Sequence, residues 1–419
     1  MKYLCIIAGV LSCLSIQGMN LSDSLHIHIN EAWEVAWERF YHPKTNLFYD
    51  YISSYEKGKE LAHLPTLEEV SKQYPNPCGY GTGMEDCMII GGVMLSTIVD
   101  MYEITKDDSL INPAINVFNG IKRCTTIPDN LGFVARGICI EDRKSFYINS
   151  SRDQYTHCVH GLWKLYHSPL SSTTIKKDIC DILTNIAERM IKNVTPENEY
   201  DFLRADGKIC PLGICRMWNV QPHEAARLPM IYAAAFDVTG NNKYKKLYRL
   251  YISEAIDQSE QINNNYAAYV FLQMQCSFEL LYSLEEKPTL KEQLDKLMKR
   301  VATMSEERFH DCKKKLSDMD IHTLSMLGPD WRKVDEWTNQ KGYIIPQWGE
   351  YRTVWECVRE AGETLSALFM TNSQLENSQT HCLEDLIINM NYNQLSGCGI
   401  IYHIAAYWKA RYKDYLDNK

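Results

Sequence analysis

Residues 265–284, NYAAYVFLQMQCSFELLYSL, are apolar on nearly every side, and a helix written that way must be enclosed by protein all round. Pro288-Thr289 follows. Leu290, Leu294, Leu297, Met298 and Val301 then recur at helical spacing, with Lys and Glu between them. That second pattern predicts a helix with one buried stripe and a solvated back. An inner ring of helices wrapped by an outer ring satisfies both patterns at once.

The pairing recurs along the chain. Residues 86–104 lead through Thr105-Lys106-Asp107-Asp108 into 109–121, and residues 225–238 lead through Thr239-Gly240-Asn241-Asn242 into 243–256. Asp and Asn suit such turns because their side chains cap the helix that follows. Further hairpins span 154–190, 266–304 and 353–389, and helices over 25–40 and 400–415 close the series. The expected fold is all-α, an (α/α)6 toroid of about six helical hairpins forming one domain over residues 19–419. The repeat is one of architecture, not of sequence. Irregular stretches at about 41–85, 125–150, 194–221 and 319–349 contain Gly or Pro, and most contain Trp or Tyr. Long loops in a compact domain are often functional. In a toroid these would gather at one end, over a central funnel.

Composition narrows the function classes. A hydrophobic share of 45% and a charged share of 23% in 419 residues supply a large core and exclude global disorder. The net charge of −9 comes without a basic stripe, which argues against nucleic acid as the ligand. Met1-Lys2, an apolar run from Tyr3 to Leu14 and Ser15-Ile16-Gln17-Gly18 form an export pattern, expected as a signal peptide over 1–18. Val10-Leu11-Ser12-Cys13 also matches a lipoprotein box, which would attach a lipid at Cys13. The expected location is therefore secreted or periplasmic, or lipid-anchored on an outer membrane. No later segment is expected to be long and apolar enough to span a membrane. Of 15 cysteines, Cys5 and Cys13 lie in the leader, and no CxxC pair or Cys/His zinc spacing occurs. Most are expected to be buried thiols, with Cys210–Cys215 the one pair placed to bridge.

The polar clusters sit where loops become inner helices. In Ser150-Ser151-Arg152-Asp153-Gln154, a serine is placed to cap the helix and Asp153 falls in its first turn, near the positive end of the dipole. Gln154, His157, Cys158 and Gly161 follow at spacings that share a helix face, with His160 between them. Pro77-Cys78-Gly79-Tyr80-Gly81-Thr82-Gly83-Met84-Glu85-Asp86 opens another helix. Its glycines allow close backbone approach to a ligand, and it lacks the ending of a phosphate loop. Arg136 lies in Asn130-Leu131-Gly132-Phe133-Val134-Ala135-Arg136. Trp218, His223 and Glu224 precede a third inner helix, and Trp348-Gly349-Glu350-Tyr351-Arg352 a fourth.

With His42-Pro43-Lys44-Thr45-Asn46-Leu47-Phe48-Tyr49-Asp50, Asn130-Leu131-Gly132-Phe133 and Ser151-Arg152-Asp153-Gln154, the chain resembles the six-hairpin glycosidase superfamily over most of its length. Within it, the chain is similar to unsaturated glucuronyl hydrolases and exo-acting β-glucuronidases. The resemblance implies a metal-independent, cofactor-free hydrolase acting on the end of an acidic, uronic-acid-containing oligosaccharide or polysaccharide. Cleavage needs a proton donor and a second carboxylate. Asp153 is the first choice, with Glu85, Asp86 and Glu224 as partners. Arg136 and Arg152 would clamp a sugar carboxylate, Trp218 and Trp348 would stack on rings, and His157, His160 and His223 would bind substrate. No metal ligand set is expected. Other readings of the same toroid are a sugar 2-epimerase working through His157, His160, His223 and His403, a polysaccharide lyase, and a non-catalytic glycan-binding protein.

Overall fold

Residues 21–416 are described by a computed structural model; the leader, including Cys13, lies outside the described residues. Twelve main helices follow one another: α1 Leu21–Val35, α2 Cys87–Thr105, α3 Ile111–Thr125, α4 Arg152–His167, α5 Thr173–Asn193, α6 Arg227–Thr239, α7 Asn242–Ser259, α8 Ala268–Leu284, α9 Pro288–Ser317, α10 Tyr351–Phe369, α11 Asn377–Ile388 and α12 Ile400–Tyr412. The even-numbered helices form the inner ring. α2 packs on α4, α4 on α6, α6 on α8, α8 on α10, α10 on α12, and α12 returns to α2. The odd-numbered helices lie outside them, α3 on α2, α7 on α6, α9 on α8 and α10, and α1 on α12. The expected (α/α)6 toroid is therefore the observed fold.

Sequence patterning accounts for the division. α2 has buried residues from Cys87 to Met101 on every face, whereas α7 buries only Tyr244, Tyr248, Ile252, Ala255, Ile256 and Ser259 along one stripe. One expectation needs correcting here. α2 is long and apolar enough, at a mean hydropathy of 1.5, to cross a membrane. Its apolar surface is instead covered by α4, α12 and α3. α9 also runs further than the expected hairpin, to Ser317, because its stripe continues through Phe309, Cys312 and Leu316. The turn caps form as expected: the Ser109 N–H donates to Asp107 at 2.8 Å and the Lys243 N–H to Asn241 at 3.0 Å. At α4 neither serine caps. Ser151 occupies the N-cap position without a side-chain bond, and the Ser150 hydroxyl donates to the Val134 carbonyl.

The connections running from inner to outer helices are short, whereas those preceding α2, α4, α6 and α10 are long, so the long loops share one end of the ring. Two of them contain β-hairpins not foreseen from the sequence, β1 Tyr41–His42 paired antiparallel with β2 Leu47–Phe48, and β3 Trp337–Gln340 paired antiparallel with β4 Tyr343–Pro346. Lys341 and Gly342 both have positive φ, 49° and 86°, as a two-residue primed turn requires. The thirteen cysteines from Cys78 to Cys398 are free thiols, so Cys210 and Cys215 do not bridge.

α2 and α4 cross at glycines. A Cβ at Gly92 would lie 2.2 Å from the His157 carbonyl oxygen, and one at Gly161 would lie 2.7 Å from the Gly92 carbonyl oxygen. At Gly91, one residue away, a Cβ would meet only Ile121, at an ordinary 3.7 Å. Gly92→Ala should therefore destabilise the fold by about 2 kcal/mol or more through backbone overpacking. Gly91→Ala should be neutral or stabilising by up to about 1 kcal/mol, through helix propensity alone. Urea unfolding of the two variants checks this; equal effects would contradict the crossing geometry.

Candidate active site

The long loops and the N-terminal ends of the inner helices enclose a cavity of about 650 Å³. Glu85 and Asp86 enter it from the turn into α2, Asp153 from the first turn of α4, and Tyr269 from the start of α8. The β3–β4 hairpin and Trp348 form one wall, and α10 contributes Arg352, Trp355, Arg359, Glu360 and Glu363 from a single face.

The turn before α2 is held by its glycines, but chiefly for packing between loops. Gly79, Gly81 and Gly83 all have positive φ, and a Cβ on them would run into Tyr147, Pro346 and His63 respectively. Of the three, Gly81 lines the cavity. Its N–H donates to the Glu85 carboxylate at 3.1 Å, and its carbonyl accepts from Trp348 Nε1 at 3.0 Å. The buried Asp50 carboxyl accepts the backbone N–H groups of Glu85 at 3.0 Å and Asp86 at 3.2 Å.

The carboxyls of the cavity have different environments. Burial, reinforced by the neighbouring Asp86 charge, pushes Glu85 up to about 7 against the pull of Arg352 and Arg136. Burial alone would raise Asp153 too, but the charge of Arg227, helped by Arg152, holds it down at about 2. Arg227 forms an ion pair with Asp153 and donates also to Gln273. Asp86 is engaged on both oxygens, by Arg359 at 2.8 Å on one and by Gln154 at 3.1 Å on the other, with Arg136 at 3.6 Å. That places it as a positioning residue. Burial pushes Glu363 up to about 7, although Arg359 Nε donates to it at 2.8 Å.

Several residues singled out from sequence lie elsewhere. Glu224 is behind the wall, paired with Arg152, and the Gln221 N–H donates to it at 3.1 Å. Burial acts to raise Glu224, but hydrogen bonding from His223 and the Arg152 charge hold it down at about 2. Arg152 donates also to the carbonyls of Gly213 at 2.8 Å and Arg216 at 2.9 Å, so its guanidinium organises the loop before α6. Trp218 packs on Tyr251 and His223 on Tyr266, both with ring centroids 4.6 Å apart. His157 sits in the α2–α4 crossing, where burial pushes it down to about 3. His160 bonds Glu279 at 2.8 Å, and His403 bonds the Val358 carbonyl at 2.8 Å. None of the four histidines lines the cavity. Arg136 and Trp348 do line it, but the Arg136 guanidinium is buried and donates to the Glu85 carbonyl and the Tyr80 hydroxyl, both at 3.0 Å.

Sequence reasoning missed Tyr269, Trp355, Arg359, Glu360 and Glu363. The signal for the last four was present: Arg352, Trp355, Glu356, Arg359, Glu360 and Glu363 recur at three- and four-residue spacing along one helix, an unusual polar face for an inner helix. Among the described residues no group of three or more His, Cys, Asp or Glu is placed to hold a metal ion.

No family model matches the chain, and no curated protein does. Among solved structures, it aligns with a sugar epimerase from a ruminal bacterium at 12% identity and a TM-score of 0.47, covering 85% of each chain. It also aligns with cellobiose 2-epimerase from Spirochaeta thermophila at 11% identity and a TM-score of 0.45, covering 95% of this chain and 99% of that one.

The Asp153–Arg227 pair has a pH signature. A depressed carboxyl stabilises the fold fully above its ordinary value of 3.8, and this contribution is lost as pH falls through about 2. The stability advantage of the wild type over Asp153→Asn should be flat above about pH 4 and shrink towards pH 2, read as the difference in denaturation midpoints. A difference independent of pH would contradict the pairing.

Proposed function

We propose that this protein is a glycoside hydrolase whose cavity cleaves an oligosaccharide by carboxyl acid–base chemistry, with Glu85 as proton donor and Asp153 as the permanent anion. One observation carries the reading: two carboxyls in one cavity are driven in opposite directions, Glu85 up to about 7 and Asp153 down to about 2. Glycoside cleavage requires such a division of roles. Glu85 protonates the glycosidic oxygen as the bond to the anomeric carbon breaks, and the departing sugar keeps that proton as its new hydroxyl. The positive charge that develops on the anomeric carbon faces the Asp153 carboxylate, which Arg227 keeps ionised. Water supplies the hydroxyl that ends on that carbon, and the proton it releases returns to Glu85. Tyr269, Trp348 and Trp355 offer aromatic surface for sugar rings. Epimerisation on the same toroid is the alternative reading; His157, His160, His223 and His403 lie outside the cavity lining, so it would draw on other acid–base groups. The export pattern over residues 1–18 adds the proposal that the enzyme works in the periplasm or outside the cell.

Mass analysis after incubation with an oligosaccharide panel tests this. Each bond cleaved should add one water; an unsaturated product or an unchanged mass with altered retention would contradict hydrolysis. Glu85→Gln should fold and lose roughly 10²–10⁴ in rate. Because Glu85 must carry its proton, wild-type turnover should fall as pH rises through about 7. A folded Glu85→Gln protein with normal turnover would overturn the assignment.

A further inference from the structure

Carboxyls outnumber guanidiniums in the cavity lining. Glu85, Asp86, Asp153, Glu356, Glu360 and Glu363 line it, against Arg136, Arg352 and Arg359, with Arg227 behind the lining and paired to Asp153. Those three are also engaged by the protein. Arg136 is held by the Glu85 carbonyl and Tyr80, Arg352 donates to Glu356 at 2.5 Å, and Arg359 is divided between Asp86 and Glu363. This bears on the sugar, because a uronate would add a further anion to a cavity whose guanidiniums are already engaged, and neither Arg136 nor Arg152 is free to clamp it.

The shortage is sharpest at Glu363, two turns along α10 from Glu356. The residue is 2% exposed and lines the cavity, one carboxyl oxygen takes Arg359 Nε, and the other, Oε2, has no hydrogen-bond partner. A buried carboxyl oxygen left unpaired is costly. The charged and titratable groups around it are Arg359 and Glu360 on its own helix, Asp86 from the turn into α2, and Tyr402 from α12. Among them Arg359 is the single cation, and Asp86 already shares it.

Resting on the reading of this cavity as a carbohydrate site, we infer that it takes a sugar bearing a protonated amine, whose ammonium group supplies the missing donor to Glu363, with Glu360 alongside. An ammonium offers three N–H donors and a full positive charge, and its hydrogen bonds to carboxylates are stronger than those of a neutral hydroxyl. In the unliganded protein a proton takes this part, since burial holds Glu363 at about 7.

Calorimetric titration at pH 6 with D-glucosamine, D-glucose and D-glucuronate tests the inference on the full chain. None of these probes has a glycosidic bond to another sugar, so the result stands apart from whether the protein hydrolyses one. Glucosamine should bind at least tenfold more tightly than glucose, and glucuronate more weakly than glucose. Glu363→Gln, which keeps the shape and removes the charge, should reduce the glucosamine preference to less than threefold, and Glu360→Gln should narrow it. Glucosamine binding no tighter than glucose would overturn the inference, as would tighter binding of glucuronate. So would a preference left intact in folded Glu363→Gln and Glu360→Gln proteins.

Discussion

The Asp86 carboxylate is the joint on which the cavity depends. It sits at the N-cap of α2 and receives Arg359 from α10, Gln154 from α4 and Arg136 from the loop before α4. Three separate parts of the ring therefore meet on one side chain. Gln154 and Arg136 donate also to the Glu85 carbonyl, each at 3.0 Å. The same contacts thus fix the backbone that carries the proposed proton donor. A buried charge held by several partners is strongly destabilising to break, which gives such a hub its positional authority. Asp86 was a plausible acid or base by sequence position; its saturation by donors gives it the different task of holding Glu85 in place.

The electrostatics of the cavity follow from unequal distribution of the arginines. Asp153 has Arg227 to itself in ion pairing and remains an anion. Asp86 and Glu363 share Arg359, and Glu85 has no direct guanidinium contact with its carboxylate, taking the Gly81 N–H instead. Burial pushes Glu85 and Glu363 up while the Arg227 pairing holds Asp153 down, so the distribution of partners decides which of these three keeps its proton near neutral pH. One fold thereby maintains a carboxyl that keeps its proton and a carboxylate that loses it in the same space.

Much of the architecture was legible in the sequence because enclosure and one-sided burial leave different patterns. The all-round apolarity of 265–284 and the stripe through Leu294, Leu297 and Val301 separate an inner from an outer helix without any knowledge of partners. The cavity lining was legible at the helix starts, which supply Glu85, Asp86 and Asp153, and illegible further along. Which side of a helix faces the funnel depends on how it is rotated against its neighbours. For α4 that rotation is set by Gly92 and Gly161, which draw His157 into the crossing with α2. Glu363 lies three turns inside α10, beyond the loop-to-helix junctions, and only the ring's closure brings it to Arg359 and Asp86. The β3–β4 hairpin escaped notice because its turn, Lys341-Gly342, connects strands of only four residues each.

The central claim is that the protein drives Glu85 and Asp153 apart. Carboxyl ¹³C NMR titration of the folded protein, with Glu85→Gln and Asp153→Asn used to assign the two resonances, measures this directly. The account predicts that the Glu85 resonance titrates near pH 7, while that of Asp153 titrates only near pH 2. Midpoints for both close to 4, the ordinary range for exposed carboxyls, would contradict it.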